Sequence, residues 1–211
     1  MSYYGNEYER RTLMNIEALY FQKYFYFKHL NQSSSEHRVT YWVKLSRDIE
    51  LHRLMYALVD VVQNQPVLRT QFVTDDFNQL KINLRDFFPF IEIKEVNEMS
   101  QSIDLEAFFT RNLNSYHFNQ LPLFNFKIYQ FLDDAYLLLD FHATIFNESQ
   151  LTPFLQQLNI AYTHSLKSEY SISDFYNWIK EMNQKMDQNQ VVCPSKHFNV
   201  LNADGDNYAY I

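Results

Sequence analysis

Residues 124–142 read FNFKIYQFLDDAYLLLDFH, two runs of aromatic and aliphatic residues, 124–131 and 135–141, parted by Leu132 and the acidic pair Asp133 and Asp134. Aromatic and aliphatic side chains suit a pleated, half-buried surface, and aspartates suit tight turns because their carboxylates bond to nearby backbone N–H groups. The spacing therefore predicts an antiparallel hairpin. Aspartate has to form this turn because glycine is nearly absent. Gly5 and Gly205 are the only two glycines in 211 residues, so every interior turn falls to Asn, Asp, Ser or Pro.

Working back from the hairpin, strand character recurs at 90–96 and 80–82, the latter entered through a turn at Asp75, Asp76 and Asn78. Residues 67–73, carrying Leu68, Arg69 and Thr70, follow Pro66 and are expected to be a strand, because the residue before a proline avoids helical angles and a helix must end there. That helix shows Leu51, Leu54, Met55, Leu58, Val59 and Val62 at three- and four-residue steps, with Asp48 placed as its N-cap. Before it, Val39, Tyr41, Val43 and Leu45 alternate with Arg38, Thr40, Trp42 and Lys44, the period of a strand with one face buried. Residues 12–30 carry apolar side chains near helical spacing and are dense in aromatics at Phe21, Tyr24, Phe25 and Phe27, which predicts a helix buried on most sides. Further helices fit 105–116, 149–165 and 173–186. The mixed order of elements gives an α+β class, a two-layer α/β sandwich on a mixed, mostly antiparallel sheet. The expected division is one lobe over 1–186 and a polar tail or linker over 187–211, where no periodic pattern is sustained.

Composition narrows the chemistry. Aromatic residues make up 18% of the chain, enough to build a sizeable core. Without interior glycines the chain has neither a P-loop nor a dinucleotide-binding fingerprint, since both need backbone that lies close against phosphate, and no cofactor is expected. Eighteen Lys and Arg against 25 Asp and Glu give a net charge of −7, which argues against nucleic acid as a partner. The first residues, MSYYGNEYERR, lack a secretory apolar run, the single Cys193 has no disulfide partner in the chain, and no window reaches the length of a membrane span; a cytoplasmic location is the expectation. Cys193 and His197 are only two ligands, far short of a tetrahedral metal set, so no metal site is assigned.

Three stretches in serial order resemble the N-terminal lobe of condensation domains from nonribosomal peptide synthetases. QPVLRTQF, residues 65–72, is similar to the family's hxxLRTxF signature. Leu121, Pro122, Leu123 and Phe124 stand where the family has its gPLf element. HATIFNES, residues 142–149, followed by an amphipathic helix through Ala161 and Tyr162, occupies the place of the HHxxxDG motif. The resemblance covers about 12–180 and implies a single lobe of the chloramphenicol acetyltransferase-like fold, in which two such lobes form a V with the reaction at their junction.

Aligned residue by residue, His142 falls on the first His of HHxxxDG, Ala143 on the second, Asn147 on the Asp and Glu148 on the Gly. A one-residue shift would put His142 on the second His but Phe146 on the Asp, a worse match. The heterocyclisation relatives' Asp-x-x-x-x-Asp pattern is not met at 142 and 147 either. In the family the second His is the base or positioning group for the attacking amine, and alanine neither accepts nor donates a proton. Asn147 lacks the charge of the family Asp, and Glu148 replaces a glycine that lets the loop turn.

On their own residues the sites also have plainer readings. His142 ends an apolar strand and is either a satisfied structural histidine or a weak general base. Asn147 with Gln150 three residues on has the spacing of a helix N-cap. Arg69 is either the family arginine near the motif loop, bonding Asn147, or a strand-edge surface residue. Ser149 and the run Ser33–Ser35 show no nucleophile-base spacing.

The resemblance, with alanine at 143, predicts a truncated, degenerate condensation-domain-like protein of nonribosomal peptide synthesis, in antibiotic or other secondary metabolism, non-catalytic alone and acting through a partner. That partner would be a carrier protein or synthetase module, a complementary lobe, or a second copy in a homodimer. The alternative is an acyltransferase forming amide or ester bonds on carrier-bound substrates, active only with a complementary lobe and using His142 as base. A third is a small acidic binding module that reuses the fold.

Overall fold

The computed structural model describes residues 13–31, 37–118, 120–164 and 172–187. Its elements are β1 (Leu13–Glu17), α1 (Tyr20–Asn31), β2 (Arg38–Lys44), α2 (Leu51–Asn64), β3 (Thr70–Thr74), β4 (Leu80–Leu84), β5 (Glu92–Glu95), α3 (Leu105–Arg111), β6 (Phe124–Gln130), β7 (Ala135–His142), α4 (Leu151–Thr163) and α5 (Ile172–Asp187). The predicted hairpin is β6–β7, antiparallel from Phe124 opposite Phe141 to Gln130 opposite Ala135.

The strands make two sheets. One has the order β2–β7–β6–β5, antiparallel except for the parallel β5–β6 pair, and the other the order β1–β4–β3, antiparallel throughout. The mixed α/β class and the mostly antiparallel pairing are as expected.

β7 is buried from Tyr136 to His142 because both faces of its sheet are covered. Alternation sends Leu137, Leu139 and Phe141 into the main core with Phe124, Phe126 and Ile128 of β6, under α2 and α4. The same alternation sends Tyr136 and Leu138 to the opposite face, where Phe109 of α3, Tyr129 and Phe131 form a smaller cluster. Asp140 and His142 share this second face by parity. On β2, whose register sets Arg38 opposite His142 and Thr40 opposite Asp140, the residues read as the polar face lie on it too: Trp42 stacks on Phe109 with centroids 5.4 Å apart.

Several local expectations need correction. The predicted helix over 12–30 is a strand followed by a helix: β1 pairs with β4, and the Ala18 N–H bonds to the Leu80 carbonyl, so tertiary pairing overrides the helical spacing there. Nor is α1 buried on most sides. Tyr20, Phe21, Tyr24, Phe27 and Leu30 lie 39–61% exposed, while Gln22 is buried and its side chain accepts from the Leu19 N–H. The strand expected over 67–73 begins only at Thr70, because Pro66–Arg69 form a 3₁₀ turn first. The helix expected over 105–116 stops at Arg111. The turn before β4 is made as foreseen without glycine. Asn78 takes φ 58°, and the Asp75 carboxylate accepts from the Phe77 and Gln79 N–H groups. Of the tail assigned to 187–211, only Asp187, the last residue of α5, is described.

α2 does not start at an Asp48 cap. A turn from Ser46 to Ile49 precedes it, and its N-cap is Glu50, with no side-chain cap of its own. The Glu50 N–H donates instead to the Tyr162 hydroxyl of α4 at 2.9 Å, and the Arg53 guanidinium lies over the same ring. The helix start is thus fixed by its packing partner. Replacing Tyr162 by Phe keeps the ring and removes the acceptor; it should cost about 1 kcal/mol in denaturant unfolding, whereas Asp48→Ala should fall within about 0.5 kcal/mol of the parent.

Candidate functional site

The candidate site is the C-terminal end of β7, where a short apolar run contains one carboxylate and ends in one imidazole. Asp140 is fully buried and is held on three sides. Arg38 donates through Nε at 3.1 Å and Nη2 at 2.7 Å, Thr40 Oγ1 donates at 2.8 Å, and the Tyr116 hydroxyl at 2.6 Å. Arg38 also donates to the Asn114 carbonyl and lies over the Tyr116 ring, 4.7 Å from its centroid. Burial raises the Asp140 carboxyl, and the guanidinium and the two hydroxyls pull it back. Burial works against the Arg38 charge, but Asp140 outweighs it and holds the guanidinium above its ordinary value. Burial, reinforced by Asp140, keeps the Tyr116 phenol far above its usual range, so it remains a donor. The network ties β2 to β7 and draws segment 112–118 against both.

That segment closes over His142. The imidazole is fully buried, with the rings of Tyr116, Phe118 and His29 at centroid distances of 5.6, 4.8 and 4.9 Å. The Thr144 backbone N–H donates to Nδ1 at 3.2 Å, so Nδ1 is the acceptor and the neutral ring carries its proton on Nε2. Nε2 is 3.1 Å from Nδ1 of His29 and donates to it. The backbone carbonyl of Tyr116 in turn accepts from the His29 ring. Burial, then the neighbouring His29, His37 and Arg38, push His142 down to about 3. A ring so placed is neutral at physiological pH, its basic lone pair is occupied, and its proton is committed to another imidazole.

The other candidates sit apart from this chain. Ala143 is half-buried, and its N–H donates to the His37 carbonyl. Asn147 and Glu148 are exposed. Asn147 caps the 3₁₀ turn Glu148–Gln150, accepting from the Ser149 N–H while its own N–H donates to Gln150 Oε1, the arrangement its spacing suggested. Arg69 is not a strand-edge surface residue. It lies on the 3₁₀ turn, only 7% exposed, and its ion-pair partner is Asp86 at 3.8 Å rather than Asn147. The pair Cys193 and His197 lies outside the described residues; among the described residues no three His, Cys, Asp or Glu side chains are grouped to hold a metal. No described helix is long and apolar enough to cross a membrane.

A cavity of about 330 Å³ opens beside Tyr116 and His117, with Glu92, Asn125 and Lys127 in its wall; His142 does not line it.

Sequence reasoning missed Asp140, Arg38, Tyr116 and His29. Asp140 did carry a signal, since a carboxylate inside a strand buried on both faces requires a cation. Arg38→Met keeps much of the side-chain volume and leaves that carboxylate uncompensated. It should destabilise the fold by about 3–5 kcal/mol in denaturant unfolding, and adding Asp140→Leu should recover much of the loss.

A family model described as Condensation domain matches residues 16–196. No curated protein matches the chain. Among solved structures, the condensation domain from the Monacolin K polyketide synthase MokA superposes with a TM-score of 0.70 at 14% identity, over 84% of this chain and 41% of that one. The starter condensation domain of rhizomide synthetase RzmA gives 0.67 at 13%, over 84% and 46%. The X-domain from teicoplanin biosynthesis gives 0.65 at 14%, over 85% and 41%. The chain spans less than half the length of each.

Proposed function

This chain belongs to the condensation-domain family, and we propose on that footing that it is a condensation-type lobe without catalytic activity of its own, acting through a partner in nonribosomal peptide assembly. The observation that carries the reading is the proton chain at His142. The lobe's motif imidazole accepts from Thr144, donates to His29, and is enclosed by Tyr116 and Phe118. General-base catalysis needs a free lone pair within reach of the reacting amine, on a group whose pKa lies near the working pH. His142, pushed down to about 3, meets neither condition, and Ala143 offers no replacement.

The need for a partner is supported by the surface. The outer face of α1 presents Tyr20, Tyr24, Phe27 and Leu30 at helical spacing, each about half exposed, next to Phe21. A contiguous apolar face of this kind marks an interaction surface in a soluble protein. The partner classes are a complementary lobe, in this or another polypeptide, a carrier protein or synthetase module, or a second copy of the chain.

The test is product formation from a loaded carrier protein and an amine acceptor, with the chain alone and with the proteins encoded beside it, comparing the parent with His142→Ala after circular dichroism confirms its fold. The expected outcome is no amide or ester from the chain alone, no difference between the two forms, and a stable complex with one neighbouring protein in light scattering. Product made by the chain alone and lost in His142→Ala would refute the reading. A strict monomer in the presence of every neighbour would remove the partner.

A further inference from the structure

His29 lies on the inner face of α1, whose outer face is the exposed aromatic one. Its ring packs edge-on to Phe118 at 4.8 Å and to His142 at 4.9 Å, and one turn earlier Tyr26 packs on Phe118 at 4.6 Å. α1 and β7 are tied by the hydrogen bond from His142 Nε2–H to His29 Nδ1, at 3.1 Å. We propose that the His29–His142 pair is an acid-released latch that fastens α1 over the end of β7.

The device depends on proton count. Two facing imidazole nitrogens share one proton: Nε2 of His142 holds it and Nδ1 of His29 accepts. A second proton on His29 would put N–H against N–H, so protonation breaks the bond that closes the latch. For His142 to relieve the conflict by moving its proton to Nδ1, that proton would have to displace the Thr144 N–H and turn to Thr144 Oγ1, 2.9 Å away, at the cost of the backbone bond.

The groups facing the pair do not favour the charge. They are His142 from β7, His37 and Arg38 at the start of β2, and His117 and Tyr116 from the segment after α3. On α1 itself, Lys28 is adjacent in sequence and lies over Tyr24, while Lys23 pairs with Glu17. The buried carboxylate nearby, Asp140, is already engaged by Arg38, Thr40 and Tyr116. Burial, then His37 and His117, lower His29, with the Tyr116 carbonyl opposing.

A histidine whose closed-state pKa lies below its open-state value takes up a proton on opening. The closed form is therefore fully favoured above about pH 6.5, the ordinary histidine value, and loses ground as pH falls from there toward the closed-state pKa. Within that window opening becomes more favourable by up to about tenfold for each pH unit through His29. The latch stands apart from the partner reading, since it concerns the attachment of α1 whatever lies on its outer face.

Hydrogen exchange on the full chain, corrected for intrinsic rates and followed from pH 7.5 to 5.0, tests it through three proteins. In the parent, protection of the α1 amides should fall below roughly pH 6.5, by up to about tenfold per pH unit, while the β6 and β7 amides hold. His29→Asn, whose side-chain carbonyl can accept from His142 without titrating, should keep α1 protected and remove the pH dependence. His29→Phe should leave α1 poorly protected at every pH with β6 and β7 intact. Parallel loss of protection in α1 and the β6–β7 core of the parent, or no selective loss at α1 down to pH 5.0, overturns the latch. So does a His29→Asn profile that follows the parent. These readouts do not involve carrier proteins, so they are separable from the failure of the partner assay.

Discussion

A charge placed where a charge is expensive organises this lobe. Asp140 sits midway along a strand covered on both faces, and an isolated carboxylate there would be neutralised or expelled. Its compensation arrives from three directions: Arg38 and Thr40 from the neighbouring strand, and Tyr116 from the segment that leads out of α3. Register follows, because a one-residue slip of β2 would carry Arg38 and Thr40 to the other face of the sheet. The site follows as well, since holding Tyr116 brings Phe118 over the His142 ring.

The same arrangement sets the surroundings of the His142 imidazole. An imidazole at the end of a β-strand is a usable base when one nitrogen is oriented by the protein and the other faces open space. Here the orienting bond is present, from the Thr144 N–H, but the space is filled by a second imidazole. Ala143 supplies no second acceptor beside His142, and His29 reaches it from a distant helix.

Much of the fold was legible because it rests on local rules. The hairpin declared itself through two apolar runs and an acidic turn, α2 through its three- and four-residue steps, and the glycine-free turn through Asp75 and Asn78. The failures share one cause, which is that partners far along the chain decided the outcome. β1 reads as helix until β4 is supplied to pair with it. Arg38 and Thr40 read as a solvent face until α3 and its following segment cover them. Arg69 reads as a strand residue because the 3₁₀ turn after Pro66 leaves no periodic trace. At the site, Asn147 was legible as a cap, whereas His29 was hidden among the aromatic residues of a segment whose inner and outer faces only tertiary packing distinguishes.

The pairing of β2 with β7 also bears on how the chain reaches its native state. Arg38 and Asp140 are 102 residues apart, and among the described residues β2 has no other strand beside it in its sheet. Contacts at such separation are slow to form, because a long loop must close before any bond is gained. A ribosome adding about 5–20 residues per second leaves several seconds between the emergence of the two strands. Throughout that interval RVTYWVK, a β-prone segment with an aromatic pair at its centre, has an unsatisfied ladder on the side where β7 will lie. The nascent lobe therefore carries an open β-prone edge through that stage, a consequence of topology and independent of its final stability.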